Sequence, residues 1–354
     1  IRNAPNYNIS LIGTDHVEIE GVRILNGYAD GIDPDNCHFV RITNSYIDSW
    51  DDAVCPKASY ALGKRRGTEH LIVANCILRT ACNAFKFGTE SEGDFKNVSV
   101  TNCVVLRREE AGRRPIAGIA IESVDGANID GVVVSNMSIE DALAPIFIRL
   151  GSRARSMAKP SPGSIRNILI RNVTAANVAL ASSITGVENG RVENVTIDGL
   201  TVTAAGGVAA PELEAPEVPT KYPDANMFGK LPALGIYSRH VDGLTLRDIK
   251  IHSVQPDSRP ALVFDDVARL ELSGFESTNI PRQQPLLLFR NVVGALLYGN
   301  RLATPAETYL EVQGEKSTDI ALRANDLRRA RHPVHEASGV PHRAVSLESN
   351  SSRR

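Results

Sequence analysis

The chain has 354 residues, 42% hydrophobic but only 5% aromatic, with 23% charged and a formal net charge of −2. These fractions exclude wholesale disorder and fibrous architectures. The near-zero charge argues against a general basic nucleic-acid-binding surface, and no apolar run is long enough for a membrane-spanning helix. With one Trp, eight Tyr and nine Phe, the core must be built mainly from Val, Ile, Leu and Ala. The start at Ile1, with no initiator Met and no signal-like stretch, reads as processed, trimmed or incomplete. Five cysteines, all in the first third, form no metal-ligand spacing and imply no disulfide scaffold. Cys76 and Cys103 each follow a repeated Asn, which reads as a stacked pair of buried thiols.

One short pattern recurs along the chain: an alternating apolar stretch closed by Asn, Asp or Gly. It appears as Val17–Gly21, Val40–Asn44, Leu71–Asn75 and Val98–Asn102, then as Val132–Asn136, Ile168–Asn172 and Val195–Gly199. Leu244–Asp248, Leu270–Gly274 and a weaker copy ending at Gly299 follow. The closing residues are spaced from 23 positions (Gly21 to Asn44) to 49 (Gly199 to Asp248). Period-two strands in so short a unit cannot bury a face alone, so successive units must stack. An all-β parallel solenoid of about ten or more coils is predicted, one coil per repeat. Its corner Asn residues adopt a left-handed backbone and bond from coil to coil.

The domain reading is one solenoid over 1–327 with a long rim loop at about 203–231, followed by a polar tail at 328–354 that is poorly ordered unless it docks. Two further loops, Arg107–Pro115 and Arg153–Gly163, are rich in Arg and Pro. With Lys64-Arg65-Arg66 they read as solvated charge or as steering for a polyanionic glycan. Arg239-His240, after the long loop, reads as a rim contact or a structural pair.

Two acidic clusters fall at similar places in adjacent coils: Asp30-Gly31-Ile32-Asp33-Pro34-Asp35 and Asp51-Asp52. Coils about 4.8 Å apart bring Asp30 close to Asp51 and Asp52. Crowded carboxylates raise at least one pKa, which suits glycosidic-bond hydrolysis by an acid and a base. Spacing alone equally allows loop-capping Asp residues or a calcium site. Trp50, beside the acidic pair, stacks on a sugar or packs under the turn.

The runs Tyr28-Ala29-Asp30-Gly31-Ile32-Asp33-Pro34-Asp35-Asn36-Cys37 and Tyr46 through Lys57 resemble glycoside hydrolase family 28, the polygalacturonase and rhamnogalacturonase family. Cys82 through Ser91 and Pro145 through Gly151 resemble a divergent bacterial branch of it. The likeness covers about residues 8–265. It implies a right-handed parallel β-helix and an inverting hydrolase of acidic, pectin-like polysaccharides or their oligosaccharides. Asp51 is then the general acid, with Asp30 and Asp52 holding and deprotonating water. The chain departs from the family in keeping only the carboxylate of its Asn-Thr-Asp motif. The family's motif His falls at Asn83, and its Arg and Lys fall at Ala120 and Glu122.

Strand alternation offers replacements: with Val54, Phe85, Ile119, Ile121 and Ile148 inward, Lys57, Lys86, Glu122 and Arg149 point outward. They form either a cleft floor or a solvated ladder of charges. The first reading pairs Lys86 with Glu122 and leaves Arg149 free for substrate, so that Arg149→Ala raises KM more than it disturbs folding. Asp33, Lys57, Asn83, Lys86, Glu122 and Arg149 are the expected substrate contacts. No metal or other cofactor is expected. The expected partner is a glycan and neither nucleic acid nor membrane, and the expected location is secreted or periplasmic. Two competing readings are a polysaccharide lyase or uronate epimerase, for which Lys57 and Lys86 supply candidate bases, and a non-catalytic glycan-binding solenoid.

Overall fold

The computed structural model describes residues 1–212, 214–281 and 283–352. Its strands stack in register into a parallel β-helix, the fold that the repeat predicts. The first sheet starts with Asp15–Glu20 on His38–Thr43 and ends with Thr318–Arg323 on Val345–Glu348. Among the described residues it holds twelve parallel strand segments. Strands such as Ser164–Val178 and Val192–Gly206 bend through a corner and continue into a second sheet. The third sheet carries Ile9–Ile12, Ile32–Asp35, Asn83–Lys86, Ala117–Ser123, Ala144–Leu150 and their successors. Parallel crossovers of this kind wind right-handed, because a twisted strand packs back on its sheet that way.

The corner residues explain why the repeat is written in Asn, Asp and Gly. All ten, from Gly21 to Gly299, have φ between +48° and +74°. The Asn side chains form the expected ladder: Asn75 donates to Asn44 (3.2 Å), Asn102 to Asn75 (3.2 Å), Asn136 to Asn102 (2.9 Å) and Asn172 to Asn136 (3.0 Å).

One continuous core fills the tube, dominated by Val, Ile, Leu and Ala. Rings do enter it: Phe85, Phe87 and Phe95 pack edge to face, with centroids 5.2 and 4.9 Å apart. Cys76 and Cys103 are buried in that core, and all five cysteines are free.

The segment read as a tail is part of the helix. Ala330–Glu336 pairs with Ala306–Gln313, and Val345–Glu348 with Thr318–Arg323. A second Asn ladder holds this end: Asn300 donates to Asn325 Oδ1 (3.0 Å) and Asn325 to Asn350 Oδ1 (2.9 Å). Polar composition misled here because the outer faces of a terminal coil are solvated. Arg353 and Arg354 of that expected tail lie outside the described residues.

Candidate active site

The carboxylates sit where the second sheet turns into the third. Tyr46–Ser49 ends one residue before Trp50, and the Asp51 carbonyl is fixed by two hydroxyls, Ser49 Oγ at 2.7 Å and Thr80 Oγ1 at 2.5 Å. That grip aims the Asp51 side chain, which is exposed, outward. Its Oδ1 accepts the Asp52 N–H at 3.0 Å. Asp30, one coil earlier, accepts the same N–H through Oδ1 at 3.1 Å. The expected meeting of Asp30 with Asp51 and Asp52 is therefore present.

Each buried acid has its own electrostatic setting. Asp52 is nearly inaccessible; its Oδ1 accepts from the Asn83 backbone N–H (2.9 Å) and Nδ2 (2.8 Å), and Lys86 Nζ stands 3.3 Å from Oδ2. Burial pushes its carboxyl up, but Lys86 and the Asn83 donors outweigh that, so it lies below the ordinary carboxylate value. Asp30 is raised, first by burial and then by the Asp52 charge, against the pull of Lys57. Lys57 Nζ bridges Asp30 Oδ2 and Asp33 Oδ2, each at 2.7 Å. Burial and the Asp30 charge still push Asp33 up to about 9.

The lysines are cations. Burial alone lowers an ammonium pKa, yet the Asp52 charge beside Lys86 raises it well above its usual value. Lys57 moves in the same direction, with Cys55, Asp33 and Asp30 offsetting its burial. Among the described residues, two groups bring possible metal ligands within 4.8 Å: Asp30, Asp33 and Cys55, and Asp51, Asp52 and Cys82. In the first, the Lys57 ammonium already bonds an oxygen of each Asp; in the second, Asp52 is engaged by Asn83 and Lys86.

The cleft floor differs from the expected row. Lys86 forms its ion pair with Asp52 and not with Glu122. Glu122 is fully buried with neither oxygen hydrogen-bonded, and burial holds its carboxyl well above the usual range. Arg149 is not free. It is wholly buried, with Nη1 donating to Gly186 O (2.8 Å) and Nη2 to Glu217 O (3.0 Å) and Val218 O (3.3 Å). Asp33 is 1% exposed and Asn83 also 1%, so both act on neighbouring side chains and have no open face for a ligand.

The physical cause is the long loop, which lies down on the third sheet and does not stand as a rim. Among its residues, Tyr222 OH lies 3.4 Å from both Lys86 Nζ and Thr89 Oγ1. Asp224 is half-buried, and burial together with the charges of Asp52 and Asp51 raises it to about 6 against the pull of Lys86. Neither residue belongs to a periodic pattern. Arg239 donates to Ala215 O (2.7 Å) and Pro216 O (2.8 Å), and His240, held by Asp266 through Nδ1 at 2.6 Å, meets Glu217 through Nε2 at 3.2 Å, so this pair anchors the loop.

On the opposite side, Trp50 Nε1 donates to Asn26 Oδ1 (2.9 Å) and the Arg108 guanidinium lies 4.5 Å from its ring centre. Tyr28, 59% exposed, stacks parallel to Trp50 at 6.4 Å. Of the basic loop residues, Arg66 is tied to Asp15 and Arg108 to Asp48, while Arg113 donates to Trp50 O at 3.3 Å.

Comparison with known proteins agrees in part. No protein-family model matches the chain. A probable polygalacturonase of Vitis vinifera is 27% identical over 146 residues, covering 39% of this chain and 29% of that protein. The chain thus matches under a third of that relative's length. Among solved structures, the tailspike protein gp49 from Pseudomonas phage LKA1 aligns over 98% of this chain and 52% of that chain, with a TM-score of 0.42 and 13% identity.

Proposed function

We propose that the protein is an inverting glycoside hydrolase of acidic, pectin-like polysaccharides or oligosaccharides, of galacturonan or rhamnogalacturonan type. The observation that carries the reading is the pairing of an exposed Asp51 with a buried, ionised Asp52 one peptide away. Asp51 protonates the glycosidic oxygen as its bond to the anomeric carbon breaks. A water attacks that carbon from the other face and passes its proton to Asp52, with Asp30 holding the water. The similarity to a polygalacturonase supports the substrate class. A polymeric substrate of this kind also favours a secreted or periplasmic location.

The lyase or epimerase reading needs a neutral amine to take a proton from carbon. Lys57 and Lys86 are both held as ammonium by carboxylates, which disfavours it. A non-catalytic solenoid gains nothing from three crowded acids. The deciding experiment is cleavage of galacturonan, rhamnogalacturonan and their oligomers by the wild type and Asp51→Asn. Loss of about 10²-fold or more in kcat is expected for the variant. Undiminished cleavage by Asp51→Asn overturns the proposed acid, and an unsaturated product absorbing in the ultraviolet overturns hydrolysis.

A further inference from the structure

The outer face of the third sheet should be the open floor of a cleft running along the helix axis, yet most of it is covered. From residue 215 to residue 233 the long loop is pressed onto that face. Met227 and Phe228 pack with Phe147, Tyr237, Val263 and Leu288 in a second apolar cluster, separate from the core of the tube. All six are at most 5% exposed. The contacts are specific as well as apolar: loop carbonyls cap Arg149 and Arg239, and Pro219 O accepts the Ser152 N–H at 2.8 Å.

The cover starts immediately beyond the carboxylates. Tyr222, itself 50% exposed, stands over Lys86 with the ammonium 5.3 Å from its ring centre, while Glu122 is sealed from solvent. In the other direction two more rings are exposed. Tyr7 is 49% exposed with Lys57 Nζ 4.5 Å from its ring centre, and Tyr28 is 59% exposed. Aromatic rings presented to solvent beside acids form a surface on which sugar faces stack.

We infer that the loop is an end wall: a glycan lies along the coils of Tyr7, Tyr28 and Asp51, and its terminus stops against Tyr222, so the enzyme cuts near chain ends. This rests on the hydrolase reading and specifies its mode of action. A groove open at both ends admits the middle of a polymer, whereas a groove closed next to the reacting carboxylates admits only a terminus.

The test has two arms. In the first, the wild type digests galacturonan and rhamnogalacturonan oligomers of increasing length. One product of fixed short length from the earliest time points is expected, with little loss of polymer viscosity. A ladder of internal fragments overturns the end wall. In the second arm, Asp51→Asn binds the same oligomers in calorimetry, with free ends or with one end chemically blocked. Blocking the correct end should weaken binding by at least about tenfold, the affinity of one lost subsite of about 1.4 kcal/mol. Equal binding of oligomers blocked at either end overturns the inference without any reference to catalysis. End-dependent binding with no cleavage by the wild type keeps the wall and removes the hydrolase reading. Neither binding nor cleavage of any oligomer removes both.

Discussion

Lys86 and Asp52 form a buried ion pair, Nζ to Oδ2 at 3.3 Å, at the point where the solenoid turns toward its third sheet. A lone charge at this depth is strongly disfavoured, so each member holds the other ionised. The Lys86→Met variant should lose about 3–5 kcal/mol of unfolding free energy, because Asp52 is left unpaired. Adding Asp52→Asn should restore part of the loss, which a denaturant double-mutant cycle measures. Additive losses would mean that the pair has no coupling.

Asn83 gives the Asp52 carboxylate a second donor on the same oxygen. Removing it as Asn83→Ala leaves the backbone N–H and takes away the side-chain bond. The charged form then loses support, and the Asp52 pKa rises toward the ordinary value. The acidic limb of the kcat/KM profile should move to higher pH, and the Tm at neutral pH should fall with the lost charged hydrogen bond. A profile that keeps its acidic limb would show that Asp52 is not the titrating base.

Asp224 carries a pH signature in stability. Its folded pKa of about 6 lies above the ordinary Asp value of 3.8, so the folded protein binds more protons between these limits than the unfolded chain. Stability from this group is therefore lost as pH rises from about 4 to about 6. Asp224→Asn should be more stable than the wild type above pH 6 and nearly equal to it at pH 4. Thermal melts across that range decide it; a difference that grows toward low pH contradicts the assignment.

Arg149 was expected to bind substrate and instead clamps the long loop through the carbonyls of Glu217 and Val218. Arg149→Ala should cost on the order of 3 kcal/mol, since several carbonyls lose charged donors together. Limited proteolysis should then cut within 215–233 where the wild type resists. An unaltered Tm with a raised KM would return Arg149 to the substrate.

The corner ladder gives a graded test. Asn102 has φ +55° and both donates and accepts along the ladder. Asn102→Ala should cost more than Asn102→Gly, because alanine adds about 1–2 kcal/mol of left-handed backbone strain to the lost hydrogen bonds. Chemical denaturation of the two variants reads the difference.

What the sequence made legible follows from locality. A corner with positive φ favours Asn, Asp or Gly, so Asn44, Asn75 and Asn102 marked the coils directly, although Phe39, His70 and Ala324 occupy other positive-φ positions. Coil spacing likewise brought Asp30 to Asp52. The loop was illegible because Tyr222 and Asp224 meet Lys86 and Asp52 across more than a hundred residues, with no repeat to align them. One sign was present nonetheless. Ile146-Phe147-Ile148 and Leu286-Leu287-Leu288-Phe289 are apolar at both parities, as strands covered on both faces are. Reading only their inward residues left Arg149 pointing into open solvent.

In a solenoid each coil contacts only its neighbours, so unfolding can fray from either end in small steps. The docked loop breaks that rule. It leaves the coil of Val192–Gly206, reaches back over several coils to Lys86 and accepts from Arg259 ahead. The middle of the chain is thereby fastened into one cooperative block containing Asp52, Lys86 and Glu122. Hydrogen exchange should be slowest and most uniform across this block and faster in the coils beyond it, so the floor beneath these carboxylates melts only when the whole block does.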